Sequence, residues 1–437
     1  MEERTKKVQN KKVQKVDEKA LRLLKYGYIC DNCLGRQFAE LLTGLSNRER
    51  GKIIRHYIAF MVDSGEGVDI DASNFYGIKF RNMKIEQKKP NKCKLCKNFF
   101  LEKIDGLAKK IAKKMSGYEY STFLIGTVVP SDLIRLEEKI WEEAGIEFVE
   151  PIKNEINREV GKRIEKTTGK RFDIDLPDIT AIVDLETERV QMQTRSLYIY
   201  GKYQKLARGI PQTKWICKEC SGKGCVKCKG LGKLYKTSVQ EIIEKPLIKT
   251  AKAKKSKMHG AGREDIDARC LGKRPFIIEL LKPKKRRLDL KNLQAQINRS
   301  KKVKVSGLRD ATKKDVQEVK KSKYDKTYLA EVVFSRSINK KRVKLLRPLN
   351  GQTISQKTPT RVAHRRAGLV RKRKLKKLIA KQIDEKKIEL KITAESGLYI
   401  KELISGDNGR TEPNIAKLLE NKVKKIRLDV IKIHSKN

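Results

Sequence analysis

Residues 258–271 bring many reactive groups into one short, loop-like segment. The segment contains two glycines, two arginines and the carboxylates of Glu264, Asp265 and Asp267, just ahead of a strand-like run at residues 276–281. An ionised carboxylate can act as a nucleophile or as a general base. The same residues also fit a turn whose carboxylates cap a helix, so the composition of the segment leaves both interpretations open.

Eight of the nine cysteines fall into four Cys-x-x-Cys pairs, a spacing that predicts metal binding. Each pair supplies two thiolates with the bite that zinc requires, and two pairs complete a tetrahedral site. Four thiolates leave no open position on the metal, so we expect structural rather than catalytic zinc. The predicted ligands are Cys30, Cys33, Cys93 and Cys96 in a first set, and Cys217, Cys220, Cys225 and Cys228 in a second set.

The two cysteine sets differ in how specifically their spacing indicates a bound metal. The second set forms tandem copies of Cys-x-x-Cys-x-Gly-x-Gly, which is typical of zinc knuckles. Zinc is favoured over an iron–sulfur cluster because the chain has no other redox signature. A long gap separates the pairs of the first set, and buried cysteines without metal remain an alternative there. Cys270 belongs to neither set.

The charge of the chain predicts a polyanionic partner. Lysine and arginine number 104 against 53 aspartates and glutamates, which gives a formal net charge of +51. Solubility alone requires far less, and an excess of this size favours nucleic acid. A lysine-rich, heat-adapted proteome would explain part of the excess, but lysine and glutamate rise together in that case.

Several other classes of protein fit the sequence poorly. No apolar run reaches the ~20 residues that span a bilayer, and residues 1–19 are too polar for a signal peptide. We therefore expect a cytoplasmic protein with no membrane partner. The four histidines form no group with acidic residues that would suit hydrolysis by metal-bound water.

Residues 197–215 alternate aromatic with basic side chains. Aromatic rings can stack on unpaired bases while lysine and arginine neutralise phosphates. We therefore expect Tyr203, Lys205 and Arg208, which lie close to glycine and proline, to contact RNA. The alternative is a tyrosine-rich strand that packs on a core, and this alternative suits Tyr198.

The elements that position these groups are typical of an α+β protein. We predict a capped helix at residues 131–145, an amphipathic segment at 53–61, a hairpin at 181–192 and a strand pair near 75–80. Further strands are predicted at 276–281, 303–305, 327–334, 388–392 and 426–433, helices at 315–319 and 414–421, and basic insertions at 282–287 and 361–381. The predicted domains are residues 1–120 with the first cysteine set, 121–235 as an accessory RNA-binding region ending in the knuckle, and 236–437.

The motif Gly262-Arg263-Glu264-Asp265 and several others along the chain together resemble the archaeal and eukaryotic Pus10 family of tRNA pseudouridine synthases. Gly262-Arg263-Glu264-Asp265 is similar to the Gly-Arg-x-Asp loop that carries the catalytic aspartate of pseudouridine synthases. The wider likeness covers nearly the whole chain. It rests on residues 29–36, 210–215, 259–267, 326–328, 361–366 and 397–411.

The resemblance implies a fold and an activity. Residues 236–437 would be a pseudouridine-synthase-type catalytic domain with a mixed or antiparallel sheet, preceded by a zinc-bearing, THUMP-like RNA-binding region. The enzyme would isomerise uridine to pseudouridine at position 54, position 55 or both in the T arm of tRNA. It would need no cofactor for catalysis, and we expect a monomer.

The resemblance also implies roles for individual residues. Asp265 would be the catalytic carboxylate, with Asp267 in reserve. Tyr328 would stack on the uracil and assist removal of the proton on C5, and Lys401 would keep the aspartate ionised. Five further residues within the matching motifs are expected to bind the substrate: Arg263, Tyr399, Arg361, His364 and Arg365.

Two other functions compete with this interpretation. The first is a non-catalytic tRNA-binding or RNA-assembly factor that retains only the shape of a synthase. The second is a co-chaperone, because tandem Cys-x-x-Cys-x-Gly-x-Gly repeats resemble the cysteine-rich region of J-domain proteins. Those proteins carry four repeats and a His-Pro-Asp motif, which this sequence lacks, so the co-chaperone is set aside.

Overall fold

The computed structural model describes residues 16–365 and 368–435, except for the side chains of His364 and Arg365. Most of the polar lead-in predicted at residues 1–19 therefore lies outside the described residues. The chain divides between Arg195 and Ser196 into two compact units, here called the N-terminal unit and the C-terminal unit. None of the described helices has the length and apolar character that crossing a membrane requires.

The N-terminal unit combines helices with a mixed sheet. Its helices are α1 (Val16–Leu24), α2 (Asp31–Gly35), α3 (Asn47–Asp63), α4 (Ile104–Met115), α5 (Ser131–Ala144) and α6 (Ile152–Thr168). Its strands are β1 (Thr122–Val128), β2 (Arg171–Phe172), β3 (Ile179–Asp184) and β4 (Val190–Thr194), and they lie in the order β2-β1-β3-β4. β1 runs parallel to β2 and β3, whereas β3 and β4 are antiparallel.

Local sequence signals explain several of these elements. Ser46 caps α3 and forms a capping box with Glu49, and the predicted amphipathic segment at 53–61 lies within this helix. α5 ends at Gly145, whose φ of +92° suits glycine, as predicted for residues 131–145. The hairpin predicted at residues 181–192 is confirmed by the pairing of β3 with β4.

The strand pair predicted near residues 75–80 is wrong. Ala72–Phe75 form a short 3-10 turn, which Asp71 caps through the backbone of Ser73. The ring of Phe75 packs edge-on against Phe80, with 5.5 Å between the ring centroids. The spacing of apolar residues here reflects packing between rings rather than a strand.

A single hydrophobic core runs through the N-terminal unit, from Ala20 to Val190. It contains all four cysteines of the first set together with residues of the sheet such as Ile125. The zinc module predicted at residues 1–120 and the accessory region predicted from residue 121 therefore share one core.

The C-terminal unit is built on one large sheet. Its strands are β5 (Leu197–Lys205), β6 (Lys255–Gly260), β7 (Arg269–Leu281), β8 (Val303–Ala311), β9 (Lys326–Phe334), β10 (Thr353–Lys357), β11 (Val370–Asp384), β12 (Lys387–Ala394), β13 (Thr411–Glu412) and β14 (Val423–Ile433). Its helices are α7 (Val239–Ala251), α8 (Leu290–Asn298), α9 (Lys313–Lys321), α10 (Lys340–Lys344), α11 (Ile400–Ser405) and α12 (Ile415–Leu418). The described strands lie in the order β13-β10-β11-β12-β9-β14-β7-β5-β8, and β6 pairs with β7. The strands predicted from residue 276 onwards are confirmed.

The junction of β7, β14 and β9 decides which residues meet. Val430 of β14 pairs on one side with Cys270, near the start of β7, and on the other side with Tyr328 of β9. The β7–β14 pairing is parallel and the β9–β14 pairing is antiparallel, so the sheet is mixed as predicted. The loop that leads into β7 is thereby placed beside Tyr328.

Three predictions about the C-terminal half need correction. The domain boundary predicted at residue 235 falls inside the C-terminal unit, because β5 pairs with both β7 and β8. The basic insertion predicted at residues 361–381 becomes strand β11 from Val370 onwards, with its lysines on exposed positions. The helical pattern at 414–421 yields only the short helix α12.

Candidate active site and metal centres

The loop at residues 261–268 joins β6 to β7 and carries the three carboxylates. β6 and β7 pair antiparallel up to Gly260 and Phe276, so the loop closes a hairpin. Gly262 has a φ of +75°, and a Cβ at this position would lie 3.3 Å from Nη1 of Arg274. The loop passes close over Arg274, and glycine permits both the backbone conformation and the approach.

Asp265 faces two cations. Arg361 donates a hydrogen bond from Nη1 to Oδ1 of Asp265 at 2.9 Å, and Nζ of Lys401 lies 3.4 Å from Oδ2. The side chain of Asp265 is 29% exposed, so a ligand can reach it. Lys401 was predicted as the partner, but the shorter contact comes from Arg361.

Lys401 divides its contacts between two carboxylates. Its Nζ lies 2.8 Å from Oδ2 of Asp267, closer than its distance to Asp265. Burial raises the pKa of Asp267, but the Lys401 ammonium outweighs this effect and holds the pKa below its ordinary value. Arg361 is oriented in turn by Glu402, whose Oε1 accepts from Nε at 2.6 Å. Arg361 and Lys401 are thus both fixed by carboxylates besides Asp265.

Glu264 lies at the base of the loop in a buried charge network. Its side chain is 1% exposed and lies 3.0 Å from Nε of Arg274. The hydroxyl of Tyr203 donates to Oε2 at 3.0 Å, and Nζ of Lys205 lies 3.8 Å from Oε1. Removal of one partner from such a network leaves an uncompensated buried charge, which is strongly destabilising.

Residues 205–212 hold the loop through its backbone carbonyls. Nζ of Lys205 donates to the carbonyl of Asp265 at 2.9 Å and to that of Ile266 at 3.2 Å. The side-chain amide of Gln212 donates to the carbonyl of Gly262 at 2.9 Å. The backbone of the candidate catalytic residue is therefore fixed from below.

Tyr328 lies on β9 and lines the same cleft as Asp265. Burial raises the pKa of Tyr328 to about 12, so its hydroxyl is protonated at neutral pH. The ring is partly buried, with β14 on one side of its strand and β12 on the other. Strand pairing on both sides gives the ring a fixed position in the wall of the cleft.

The cleft itself has a volume of about 580 Å³, a size that suits a nucleotide. Two carboxylates, Glu264 and Asp265, and seven cationic side chains line it, which leaves a surplus of five positive charges. Such a lining suits an anionic ligand with an aromatic part. The cations are Arg263, Arg274, Lys326, Arg361, Arg371, Arg373 and Lys401.

Three of the residues predicted to bind RNA line this cleft. Arg263 is exposed, Tyr399 directly precedes α11, and Arg361 lies in a short 3-10 helix at Thr360–Arg365. The side chains of His364 and Arg365 lie outside the described residues, so their contacts with RNA stay predictions.

Three other predicted RNA contacts take part in the fold, and one of them is Lys205, which binds the backbone of the loop. Tyr203 is fully buried and packs against Phe276 with 5.8 Å between ring centroids, so an RNA base cannot reach its ring. Arg208 pairs with Asp429 at 2.6 Å and donates to the carbonyl of Asp267 at 2.8 Å. The aromatic and basic alternation around Tyr203 therefore reflects a buried strand, as in the alternative proposed for Tyr198.

Sequence reasoning missed four cations of the cleft wall, Arg274, Lys326, Arg371 and Arg373. Lys326 belongs to the motif at residues 326–328 that supports the resemblance, but no role was predicted for it. Arg371 and Arg373 lie in a long basic run, where the abundance of lysine hides their spacing of two residues. Strand register was the missing signal, because it puts both arginines on one face of β11.

The first cysteine set meets in the core of the N-terminal unit. The four sulfurs lie within 4.8 Å of one another, and Sγ of Cys30 is 3.6 Å from Sγ of Cys96. A tetrahedral zinc with Zn–S bonds of about 2.3 Å would separate its sulfurs by about 3.8 Å. Nη1 of the buried Arg36 lies 3.4 Å from Sγ of Cys33 and offers a compensating positive charge. The donor set therefore fits zinc.

The second cysteine set meets in the C-terminal unit with similar spacing. The sulfurs of Cys217 and Cys225 are 3.7 Å apart, far beyond a disulfide bond. The backbone amide of Gly224 donates to Sγ of Cys220, and that of Gly232 to Sγ of Cys228, each at 3.2 Å. Amides that face sulfurs in this way are expected of a zinc knuckle, so this set fits zinc as well.

Comparison with known proteins matches both halves of the chain to domains of one family. Residues 198–434 match the family described as "Pus10, C-terminal", and residues 107–184 match "Pus10 THUMP domain, archaeal". The tRNA pseudouridine synthase Pus10 of Methanothrix thermoacetophila is 41% identical over 425 residues, which cover 95% of this chain and 93% of that protein. The tRNA pseudouridine synthase Pus10 of Methanocaldococcus jannaschii is 39% identical over 434 residues, with 95% and 94% covered.

Solved structures give weaker matches. A crystal structure of a Cbf5-Nop10-Gar1 complex aligns with a TM-score of 0.28 at 14% identity, covering 52% of this chain and 47% of that chain. A crystal structure of a pseudouridylate synthase aligns with a TM-score of 0.21 at 13% identity, covering 56% and 67%.

Proposed function

Because the chain belongs to the Pus10 family of tRNA pseudouridine synthases, we propose that Asp265 is its catalytic carboxylate and that the target uridine lies at position 54, position 55 or both in the T arm. Family membership itself establishes that the protein is an isomerase acting on uridine in tRNA. The target positions and the roles of single residues are the proposal.

The placement of Asp265 between Arg361 and Lys401 carries this proposal. A carboxylate can serve as a nucleophile or a base, and two cations within 3.4 Å hold that of Asp265 in one position at the cleft. Asp265 is also the reachable carboxylate of the cleft, because the side chain of Glu264 is 1% exposed and committed to Arg274. Asp267 is the alternative, since it too contacts Lys401.

The reaction rearranges atoms within one nucleotide. The bond between C1′ of the ribose and N1 of uracil breaks, the base turns, and C5 bonds to C1′. The proton on C5 is then lost, and N1 gains one, so no external reagent is consumed. Asp265 would either bond to C1′ and leave when C5 attacks, or remove the proton on C2′ and return it afterwards.

The reacting base must leave its stack before either step. Extrusion of a base costs a few kcal/mol, which a pocket recovers through stacking and hydrogen bonds. We assign the stacking surface to Tyr328, whose ring lines the cleft with Asp265. The groups assigned to the chemistry, Asp265, Tyr328 and Lys401, all come from one chain, so we propose that the enzyme works as a monomer. We place it in the cytoplasm because tRNA is its substrate.

We further propose that both cysteine sets hold zinc in a structural role. Each set supplies four sulfurs within 4.8 Å of one another, and four thiolates leave no site on the metal for a substrate. Zinc would order the N-terminal core and the knuckle, while the isomerisation uses only side chains of the protein.

The decisive experiment compares wild-type protein with Asp265→Ala on an unmodified tRNA transcript. Carbodiimide treatment followed by primer extension maps each pseudouridine. We expect wild type to convert uridines of the T arm, and Asp265→Ala to bind tRNA with unchanged affinity but convert none. Full conversion by Asp265→Ala would refute the catalytic assignment.

A matched control is Asp267→Ala, which removes a carboxylate two positions away with the same lysine partner. We expect this variant to keep conversion within about tenfold of wild type, because Arg361 still contacts Asp265. The opposite pattern, with Asp267→Ala inactive and Asp265→Ala active, would transfer the catalytic role to Asp267. Binding without any conversion by wild type would favour the non-catalytic tRNA-binding factor.

A further inference from the structure

Three cations of the cleft wall, Lys326, Arg371 and Arg373, form no ion pair with a carboxylate among the residues that the structure describes. Nη1 of Arg371 donates to the hydroxyl of Thr358 at 3.3 Å. Arg373 donates from Nε to the carbonyl of Ser396 at 3.1 Å and from Nη1 to that of Lys372 at 2.8 Å. Neutral oxygens orient these guanidinium groups without neutralising them.

Lys326 is the most unusual of the three because it is buried. The residue is 8% exposed, and its ammonium donates to the carbonyl of Tyr324 at 2.9 Å and to the hydroxyl of Ser396 at 3.5 Å. A buried ammonium without an ion-pair partner costs free energy, since burial disfavours the charged form. An anionic ligand at this position would offset that cost.

Ser396 joins these cations into one cluster. Its hydroxyl accepts from Lys326 of β9, and its carbonyl accepts from Arg373 of β11. The next residue, Gly397, has a φ of +96°, and a Cβ there would lie 3.2 Å from Nε of Arg373. Glycine thus leaves room for the guanidinium to lie against the backbone.

All three cations line the cleft that contains Asp265 and Tyr328. A nucleotide whose ribose meets Asp265 and whose base meets Tyr328 carries a phosphodiester on each side. We propose that Lys326, Arg371 and Arg373 form a subsite for one phosphodiester of the nucleotide that is isomerised. The inference rests on the proposed function for the position of the nucleotide, while the anionic character of the subsite follows from its own charges.

The first test is the salt dependence of tRNA binding. Release of counterions makes the logarithm of affinity fall linearly with the logarithm of salt concentration, and loss of one phosphate contact lowers the slope by about 1. We expect this change in the double variant Arg371→Gln/Arg373→Gln, with a dissociation constant raised about ten- to a hundredfold. The double variant Arg371→Lys/Arg373→Lys should recover most of the slope.

The matched control removes two lysines from the same strand. Lys372 and Lys374 alternate with the arginines on β11 and are exposed, so Lys372→Gln/Lys374→Gln changes the net charge equally without touching the subsite. We expect the control to keep the wild-type slope. Equal slopes for the control and for Arg371→Gln/Arg373→Gln would overturn the proposal. If that double variant melts below the wild-type temperature, the single variants Arg371→Gln and Arg373→Gln replace it in the same comparison.

The second test identifies the phosphate. Methylphosphonate linkages, which are uncharged, are placed singly on the 5′ or the 3′ side of the uridine that wild type converts. At one of the two positions the uncharged linkage should lower the tRNA affinity of wild type about tenfold. At the same position it should leave the affinity of Arg371→Gln/Arg373→Gln unchanged, because that variant has already lost the contact. Losses of equal size in both proteins at both positions would overturn the subsite. If wild type converts no uridine, the proposed function fails, and the salt slopes still decide whether the three cations bind a phosphate.

Discussion

At the scale of single residues, the two cations that contact Asp265 are each held in place by another carboxylate. Arg361 is held by Glu402, and Lys401 is held by Asp267, so neither cation depends on Asp265 alone for its position. Groups that are already oriented need not reorganise during the reaction. Most electrostatic catalysis arises from such preorganised groups. A lone lysine, as the sequence suggested, would have lacked this support.

Tyr328→Phe separates stacking from proton transfer. The variant keeps the ring and loses the hydroxyl, so we expect tRNA affinity to change by less than about twofold and conversion to fall about 10²- to 10⁴-fold. Because the pKa of Tyr328 is raised to about 12, the phenolate fraction below pH 12 rises about tenfold per pH unit. If the phenolate removes the C5 proton, the single-turnover rate of wild type rises between pH 6 and pH 9, and that of the variant stays flat. A variant as fast as wild type would leave Tyr328 with stacking alone.

Lys326→Met should stabilise the free protein while weakening its binding to tRNA. Burial, with a smaller contribution from Arg274, lowers the pKa of Lys326 from 10.5 in the unfolded chain to about 8. The unfolded state therefore binds more protons between pH 8 and pH 10.5, and the cost of this lysine is fully present below pH 8 and disappears as pH rises to 10.5. At pH 7 the methionine variant should gain up to about 3 kcal/mol in free energy of unfolding. Denaturant melts at pH 7 and pH 10 measure the gain, which should shrink at the higher pH; a destabilised variant would contradict the expectation.

At the scale of elements, the sequence predicted those strands whose side chains alternate in burial. β9 and β12 were predicted because their buried positions repeat every two residues, which is the signal that strand prediction uses. β11 was missed because seven of its 15 residues are lysine or arginine, distributed over both faces, and this charge hides the alternation that predicts a strand. Near Phe75 the error is the reverse, because a strand was predicted where none forms. The aromatic residues there have the spacing of a strand, but their rings pack against each other beside a 3-10 turn.

The end of β5 illustrates a role that no sequence pattern revealed. Lys205 is fully buried, and its ammonium binds the carbonyls of Asp265, Ile266 and Ile210. Basic residues near aromatic ones suggested RNA contact, whereas the contacts of Lys205 are with the backbone of the loop. Position along the chain gave no sign of this, because Lys205 and Asp265 are 60 residues apart.

Lys205→Met is expected to loosen the loop without changing how tRNA docks. The carbonyl of Asp265 loses a charged donor, and misplacement of a catalytic group by about 1 Å can cost about 10²-fold in rate. We expect kcat to fall by about 10- to 100-fold, with KM within about threefold of wild type. Lys205→Arg, which restores a donor, should recover part of kcat. A raised KM with unchanged kcat would instead assign Lys205 to substrate binding.

At the scale of the whole molecule, the net charge of +51 and the surplus of five positive charges in the cleft act over different distances. The first attracts any nucleic acid and is screened by salt, whereas the second acts at contact distance in a partly enclosed volume. The sequence predicted the first from composition alone. It predicted Asp265, Tyr328 and Lys401 from motifs far apart in the chain, but not that Arg361 makes the shortest contact with Asp265, because a contact between two loops has no signature in spacing.

The two cysteine sets should respond differently to the loss of one ligand. Cys93 is 1% exposed and lies in the core of the N-terminal unit, so under the proposed zinc assignment Cys93→Ser would remove the metal from the centre of that core. Structural zinc supplies a large part of the folding energy of the domain that holds it, so the N-terminal unit of this variant should unfold at a lower temperature or be cleaved by protease. Cys220→Ser affects the more exposed knuckle, and we expect the melting of the remaining C-terminal sheet to change little.

Metal analysis of the full-length variants provides the measurement. Wild type should contain about two zinc ions per chain, and Cys93→Ser and Cys220→Ser about one each, because three thiolates bind zinc far more weakly than four. The control is Cys270→Ser, which alters a buried cysteine outside both sets and should leave two zinc ions in place. Loss of zinc from the N-terminal set without loss of stability would mean that the apolar residues of the core suffice to fold that unit, and that its cysteines bind metal for another reason.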